Sequence, residues 1–391
     1  MPESPKLPEP LRGNETGTFT AHSVSVRLPE IAGRIRDDHP TAASSLSALI
    51  DEIGSGHIEP LSGTGPNQEE WASYVQPFVG SSWRDVPWFF AEYYFYRRIL
   101  DAVGYWESGL DPYQSQKRLG LDQATSGAAT TLAAVDAAYA QGAHTEILLI
   151  QLTDAALWGN QVDLSLWPAE DGGEVVTDQH DDRVLLDERP QAVRSLHGRL
   201  PSPIDIVIDN AGSELVADLL VADLLLRSDL ASRVTIHAKL YPIFVSDATE
   251  RDVVESIRHL AADPNPHLRS AGERLHMEFT AGRFVISAEP FWVSPLGWRS
   301  RPESVENSLS RSALVIVKGD ANYRRLLDDR HWDFTTPFAD AIGPSPAPLL
   351  ALRTIKSELV AGLAPGQAAA TAAADPEWLQ NGRWATASFA G

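Results

Sequence analysis

At 391 residues the chain exceeds the usual size of a single domain, which predicts one large domain carrying a second unit, or two domains in close contact. A formal net charge of −21 argues against a nucleic-acid-binding surface, which must neutralise phosphates, and admits an anionic small substrate only where a few basic residues converge. The absence of cysteine excludes disulfides, zinc-thiolate sites, iron–sulfur clusters and a cysteine nucleophile; with no apolar run long enough to span a bilayer, we expect a cytoplasmic protein that engages neither membrane nor nucleic acid.

Residues 1–20 are polar and proline-rich and are expected to be disordered or draped over the body. Residues 21–165 read as a mainly helical region. Within it, residues 87–100 are apolar almost all round, which predicts a helix buried between layers with Pro87 at its first position. Residues 146–158 suit a buried strand or a helix; their length and the Gly159-Asn160 stop favour helix. The pattern then changes over residues 166–391. Three runs, residues 204–208, part of 233–245, and 313–317, read as buried strands. They end in Asp209-Asn210, Ser246-Asp247 and Lys318-Gly319-Asp320, and helical spacing follows, as in residues 213–220 and 250–260. This alternation predicts an α/β fold: a three-layer α/β/α sandwich with an N-terminal helical region and a site along the strand C-termini. Residues 274–289 are expected to add a strand or hairpin. Residues 361–374 read as a linker to a tail, with Trp378 and Trp384, that packs back onto the body.

Asp209 and Asn210 offer oxygen donors suited to a hard divalent cation; capping the following helix is the alternative. Three strand ends that each deliver a carboxylate are harder to explain as caps than one is. The common nucleotide signatures are missing: Gly63-Thr64-Gly65 lies in a proline-containing loop without strand context, and no G-x-x-x-x-G-K-[ST] occurs. His276-Met277-Glu278 lacks the cysteines of a zinc deaminase, and Asp178-Gln179-His180-Asp181-Asp182 reads as a solvated acidic loop. If Arg353-Thr354-Ile355-Lys356 is helical, its two cations stand one turn apart on one face and, with Lys318, could hold a phosphate beside a metal; a solvated basic face is the alternative.

Five ordered motifs resemble those of the metal-dependent damage-control phosphatases, also called the acidic-residue methyltransferase-like family. They are Trp158-Gly159-Asn160-Gln161-Val162-Asp163, Ile208-Asp209-Asn210-Ala211-Gly212-Ser213-Glu214, Ser246-Asp247-Ala248-Thr249, Lys318-Gly319-Asp320-Ala321-Asn322-Tyr323 and Arg353-Thr354-Ile355-Lys356. The last is similar to the Arg-Thr-x-Lys signature of the sugar-phosphate phosphatase subfamily, and the resemblance runs from about residue 20 to the end. It implies a helical region packed on an α/β/α domain and one divalent metal (Mn, Ni, Co or Mg) held by Asp209, Asn210 and Asp247. It further implies contacts from Gly319, Asp320, Ala321, Asn322, Tyr323 and Lys356 to a small anionic phosphate ester. Our own reading adds Lys318, Arg353 and Asn160 as neighbours. Asp209 and Asp320 are the candidate catalytic carboxylates, with Asp320 as base or nucleophile and a metal-activated water as the other attacking group. The expected reaction is hydrolysis of sugar phosphates such as fructose phosphates in metabolite damage control. Carboxyl methylation from S-adenosylmethionine ranks below it, because the turn after Ile208 supplies Asp209-Asn210 where a methyltransferase has a glycine-rich turn. A specialised phosphosugar-binding or biosynthetic protein is the third reading.

Overall fold

The computed structural model describes residues 7–159, 181–199 and 201–391. Among them, seven strands form one sheet: β1 (Val184–Asp187), β2 (Ser202–Val207), β3 (Ala231–His237), β4 (Phe284–Ser287), β5 (Leu314–Lys318), β6 (Leu349–Thr354) and β7 (Ala385–Ala390). The spatial order is β1-β7-β6-β5-β2-β3-β4. The β6–β7 pair is antiparallel and every other neighbouring pair is parallel. From β2 the chain moves outward through β3 and β4, then returns to the far side of β2 for β5 and β6. Strand order therefore reverses between β2 and β5. The crevice outside the carboxyl ends of such a pair is where open α/β sheets bind ligands.

Side chains alternate along each strand, and this sorts the apolar residues into two cores. Ile204, Ile206, Leu314, Ile316, Leu350 and Leu352 pack with helices Thr145–Trp158, Ser213–Arg227, Glu250–Ala261 and Pro266–Thr280. Val207, Val315, Val317, Leu349 and Ala351 share the other core with the N-terminal helices and with helix Asp320–Leu326. Helices thus cover both faces, as the alternating pattern predicts, and the helical region contributes to both layers: its first part to one core and helices Gln114–Ala140 and Thr145–Trp158 to the other.

Several elements differ from their sequence reading. Residues 274–280 end the helix Pro266–Thr280, which Asn265 caps with its side chain and Pro266 opens; only β4 is extended. Residues 352–354 lie in β6, so Arg353 and Lys356 are not neighbours on a helix. The expected linker contains the helix Gln367–Ala374, and the tail beyond Trp384 becomes β7, inside the sheet. Residues 146–158 are helical. The described part of the N-terminal segment is draped in the literal sense. The Leu11 amide donates to Asp329 (2.9 Å), and the Leu11 carbonyl accepts from Trp88 (2.8 Å).

The aromatic helix Trp88–Ala102 is buried along nearly its whole length, and Pro87 stands just before it. Its one fully buried carboxylate, Glu92, meets the Arg324 guanidinium, which also pairs with Asp329 at 2.8 and 3.0 Å and lies over the Trp88 ring. These groups are almost wholly removed from water. Arg324→Leu should therefore cost about 3–5 kcal/mol, because buried Asp329 loses its counter-charge and Glu92 keeps only the longer contact to Arg27 (3.4 Å). Equilibrium urea unfolding measures this, and a loss below about 1 kcal/mol, the range of exposed pairs, would contradict it.

Candidate functional site

Three loops meet at the switch point. The first follows β2, where Ile208, Asp209 and Asn210 are buried. Asp209 and Asn210 do not serve as side-chain caps of helix Ser213–Arg227; the residue before that helix is Gly212, with φ +81°, and no side chain caps it. A Cβ on Gly212 would press against the Gly120 backbone at 3.2 Å, so the turn needs glycine.

The second loop corrects an expectation. β3 ends at His237, so Asp247 is not at a strand end. The chain loops out and returns, closed by bridges Lys239↔Thr249 and Asn210↔Asp247. Reciprocal backbone bonds, Ala248 N–H to Asp209 O and Ala211 N–H to Ser246 O, both 2.7 Å, place Asp247 beside Asn210. The strand-end rule therefore misplaces the backbone of Asp247, yet the residue reaches the crevice.

The third loop follows β5. Gly319 has φ +84°, and a Cβ there would lie 2.0 Å from Asp209 Oδ2. Asn322, one turn on, fastens the loops together. Its Nδ2 donates to Lys318 O (2.8 Å) and Ile208 O (3.1 Å), and its Oδ1 accepts from Lys239 Nζ (2.9 Å). Lys239 lies 3.3 Å from Asp247 Oδ2. Burial alone would lower its pKa, but the Asp247 carboxylate carries it above the ordinary lysine value.

Two of the expected substrate cations are engaged within the protein. Lys318 Nζ is buried and pairs with Glu214 (3.1 Å) and Asp218 (2.9 Å). Both carboxylates lie on the helix Ser213–Arg227, so the pair ties the end of β5 to that helix. Burial pushes the Asp218 carboxyl up to about 7 against the attraction of Lys318, with Glu214 adding repulsion. Glu214, held by Lys318, in turn accepts from Asn210 Nδ2 (3.0 Å), while Asn210 Oδ1 accepts from Ser246 Oγ (2.6 Å). The ion pair thereby fixes which end of the carboxamide faces the Ser246-Asp247 loop. Arg353 is likewise occupied. Its Nε meets Asp320 Oδ1 at 2.7 Å, its other nitrogens meet Ser357 and Leu359, and its plane lies over Tyr323. Asp320 Oδ1 also accepts from Ser357 Oγ (3.1 Å) and the Lys356 amide (3.3 Å), so this carboxylate anchors the segment that carries Lys356. Gly382, from the C-terminal segment, packs against the Lys356 side chain.

Asp209, Asn210, Asp247, Gly319, Asp320, Ala321, Asn322, Tyr323, Arg353 and Lys356 therefore belong to one connected region. Asn160 lies outside the described residues, as does most of the 178–182 cluster. Among the described residues no group of three His, Cys, Asp or Glu side chains is placed to hold a metal. Sequence reasoning missed Lys239, Glu214 and Asp218. The last two had a visible signal, since Glu214 follows Asn210 by four residues and Asp218 follows Glu214 by four, which puts carboxylates on one side of an otherwise apolar helix.

A doubly wound sheet with buried carboxylates and lysines at its switch point defines an α/β enzyme whose site suits an anion and a hard cation. Residues 24–371 match the Damage-control phosphatase ARMT1-like domain, and the chain belongs to this family: it is a phosphatase, with a small phosphate ester as the class of substrate. Similar proteins are the damage-control phosphatases ARMT1 of Mus musculus, 29% identical and covering 100% of both chains, and of Danio rerio, 30% identical over 98% of this chain and 97% of that one. The human protein of the same name is 28% identical over 98% of this chain and 99% of its own. A crystal structure of a DUF89 family protein from Pyrococcus horikoshii aligns with a TM-score of 0.45 and 16% identity, covering 85% of this chain and 91% of that one.

Lys318→Met would leave Glu214 and Asp218 buried without their cation. We expect a loss of about 3–5 kcal/mol in urea unfolding, reduced when Glu214→Gln and Asp218→Asn are added. Unchanged stability of the single variant would show that the pair is not held as a buried salt bridge.

Proposed function

We propose that this phosphatase is divalent-metal-dependent and hydrolyses small sugar-like phosphomonoesters, such as fructose phosphates, in metabolite damage control. The reading rests on one observation: Asp209, Asn210 and Asp247 come from two loops that pair with each other at the sheet's switch point, next to the loop that carries Gly319 and Asp320. Two carboxylates and a carboxamide oxygen are an all-oxygen donor set that suits Mn, Co, Ni or Mg. The residues fit such an ion chemically, because the Glu214 contact turns the Asn210 oxygen toward the Asp247 loop. When bound, the metal polarises a phosphoryl oxygen and offsets charge on the leaving oxygen.

The chain's own residues divide the remaining work. Lys356 is the cation we assign to the phosphate, and the turn at residues 319–323 supplies backbone contacts. Three donors converge on Asp320 Oδ1, which orients this carboxylate. Its Oδ2 is the oxygen through which it would take a proton or attack phosphorus. Lys318 and Arg353 have their charge matched by carboxylates, so they contribute order rather than attraction for a dianion.

Release of inorganic phosphate from a panel of sugar phosphates, with each metal and with chelator, tests the proposal. Asp209→Ala and Asp247→Ala should abolish metal-stimulated release. Lys356→Ala should lower kcat/KM by roughly ten- to a thousand-fold, the worth of a charge-assisted phosphate contact. Full turnover by chelated enzyme, or methyl transfer from S-adenosylmethionine with no phosphate release, would overturn it.

A further inference from the structure

The loop that delivers Asp247 contains the most unusual backbone of the described residues. Of the non-glycine residues there with positive φ, Asn67, Asp229, Asp328 and Asp329 are types that tolerate the left-handed region. Phe244 (φ +51°) and Val245 (φ +66°) are not, and for β-branched valine the conformation is a genuine outlier. The Ser246 amide donates to Phe244 O at 2.7 Å, closing a three-residue turn about Val245. With positive φ at the central residue this is the rare, strained form of γ-turn. Such a turn persists only where its surroundings over-determine it.

They do so here from both sides. The Phe244 ring is 4.9 Å from those of Tyr93 and Tyr96 on the aromatic helix. Ser246 is fastened by its Oγ to Asn210 and by its carbonyl to the Ala211 amide. We propose that the strained Phe244-Val245 turn is a positioning device. Gripped by the aromatic helix, it sets the register in which Ser246 meets Asn210 and so holds Asp247 ready for the metal. This rests on the reading of Asp247 as a metal ligand. A relaxed turn would let the loop pass the same end points by more than one route, and the ordering would then be charged against metal binding.

The test uses the full chain and two substitutions that both remove the Val245 side chain, so that lost packing cancels. Relative to Val245→Ala, Val245→Gly relieves the strain, and the metal-free Gly variant should melt at an equal or higher temperature, the reverse of their usual order. Its affinity for Mn2+, read by titration calorimetry, should nonetheless be about tenfold weaker than that of the Ala variant, the scale seen when support behind a ligand is removed. Saturating Mn2+ should restore most of its phosphate release. Phe244→Leu, which loses the aromatic grip, should weaken Mn2+ in the same way. Should Mn2+ affinity instead follow stability, with the Gly variant binding as well as the Ala variant while Asp247→Asn loses metal, the turn is merely structural and the proposal falls alone. Should Asp247→Asn bind Mn2+ like the unaltered protein, the ligand assignment fails and takes this proposal with it.

Discussion

The approach of the Gly319 backbone to the Asp209 carboxylate is the constraint from which the rest of the site follows. β2 and β5 are adjacent in the sheet, so the loops after them must share the space above the switch point. Any side chain at 319 would occupy the position of Asp209 Oδ2, and the positive φ adds a second reason for glycine. Because the backbone can come this close, Asn322 reaches across to the Ile208 carbonyl, and its oxygen is left to hold Lys239. Lys239 then supplies the charge beside Asp247. One missing Cβ thus lets three loops converge with their buried polar groups paired, which a low-dielectric interior demands.

The helical region buttresses these loops from behind. Its aromatic helix reaches the Asp247 loop through Tyr93, Tyr96 and Phe244, and the helix after Gly319 through Glu92 and Arg324. The N-terminal segment contributes at a third point, where Glu358, two residues beyond Lys356, accepts from the Phe19 amide (2.7 Å) and the Thr20 hydroxyl (3.1 Å). Each loop tied down in this way carries a proposed ligand or substrate contact. The helices up to Tyr113 and the sheet share one core, so these contacts come from packed side chains rather than from a linker.

Fold and site were legible to different degrees for identifiable physical reasons. β2 and β5 are short β-branched runs that end in polar pairs, and such strands announce themselves. β7 is mostly alanine, serine and threonine and does not look like a buried strand, and β6 ends in Arg353 and Thr354 although its leucines enter both cores; their place in the sheet comes from pairing on both sides, with each other and with β1 and β5. The Arg353–Lys356 spacing leaves helix open as a condition, because charge spacing alone cannot distinguish helical neighbours from residues on either side of a strand end. The motif brings Asp247 to the crevice but not its backbone course, since a return loop closed by two isolated bridges has no periodic signature. The interior partners Glu214, Asp218 and Lys239 escaped because a charged residue's burial is decided by its neighbours in space.

The resulting distribution of charge bears on how so acidic a protein could attract an anionic substrate. Lys239, Lys318 and Arg353 are each committed to carboxylates at 3.3 Å or less. With Asp209 added to those carboxylates, the crevice holds no surplus of positive charge among these groups. These three cations therefore order the loops rather than supply an excess of positive charge, against the background of the whole molecule's net charge. On the proposed function, a divalent ion held by Asp209, Asn210 and Asp247 would supply the positive charge that these groups lack.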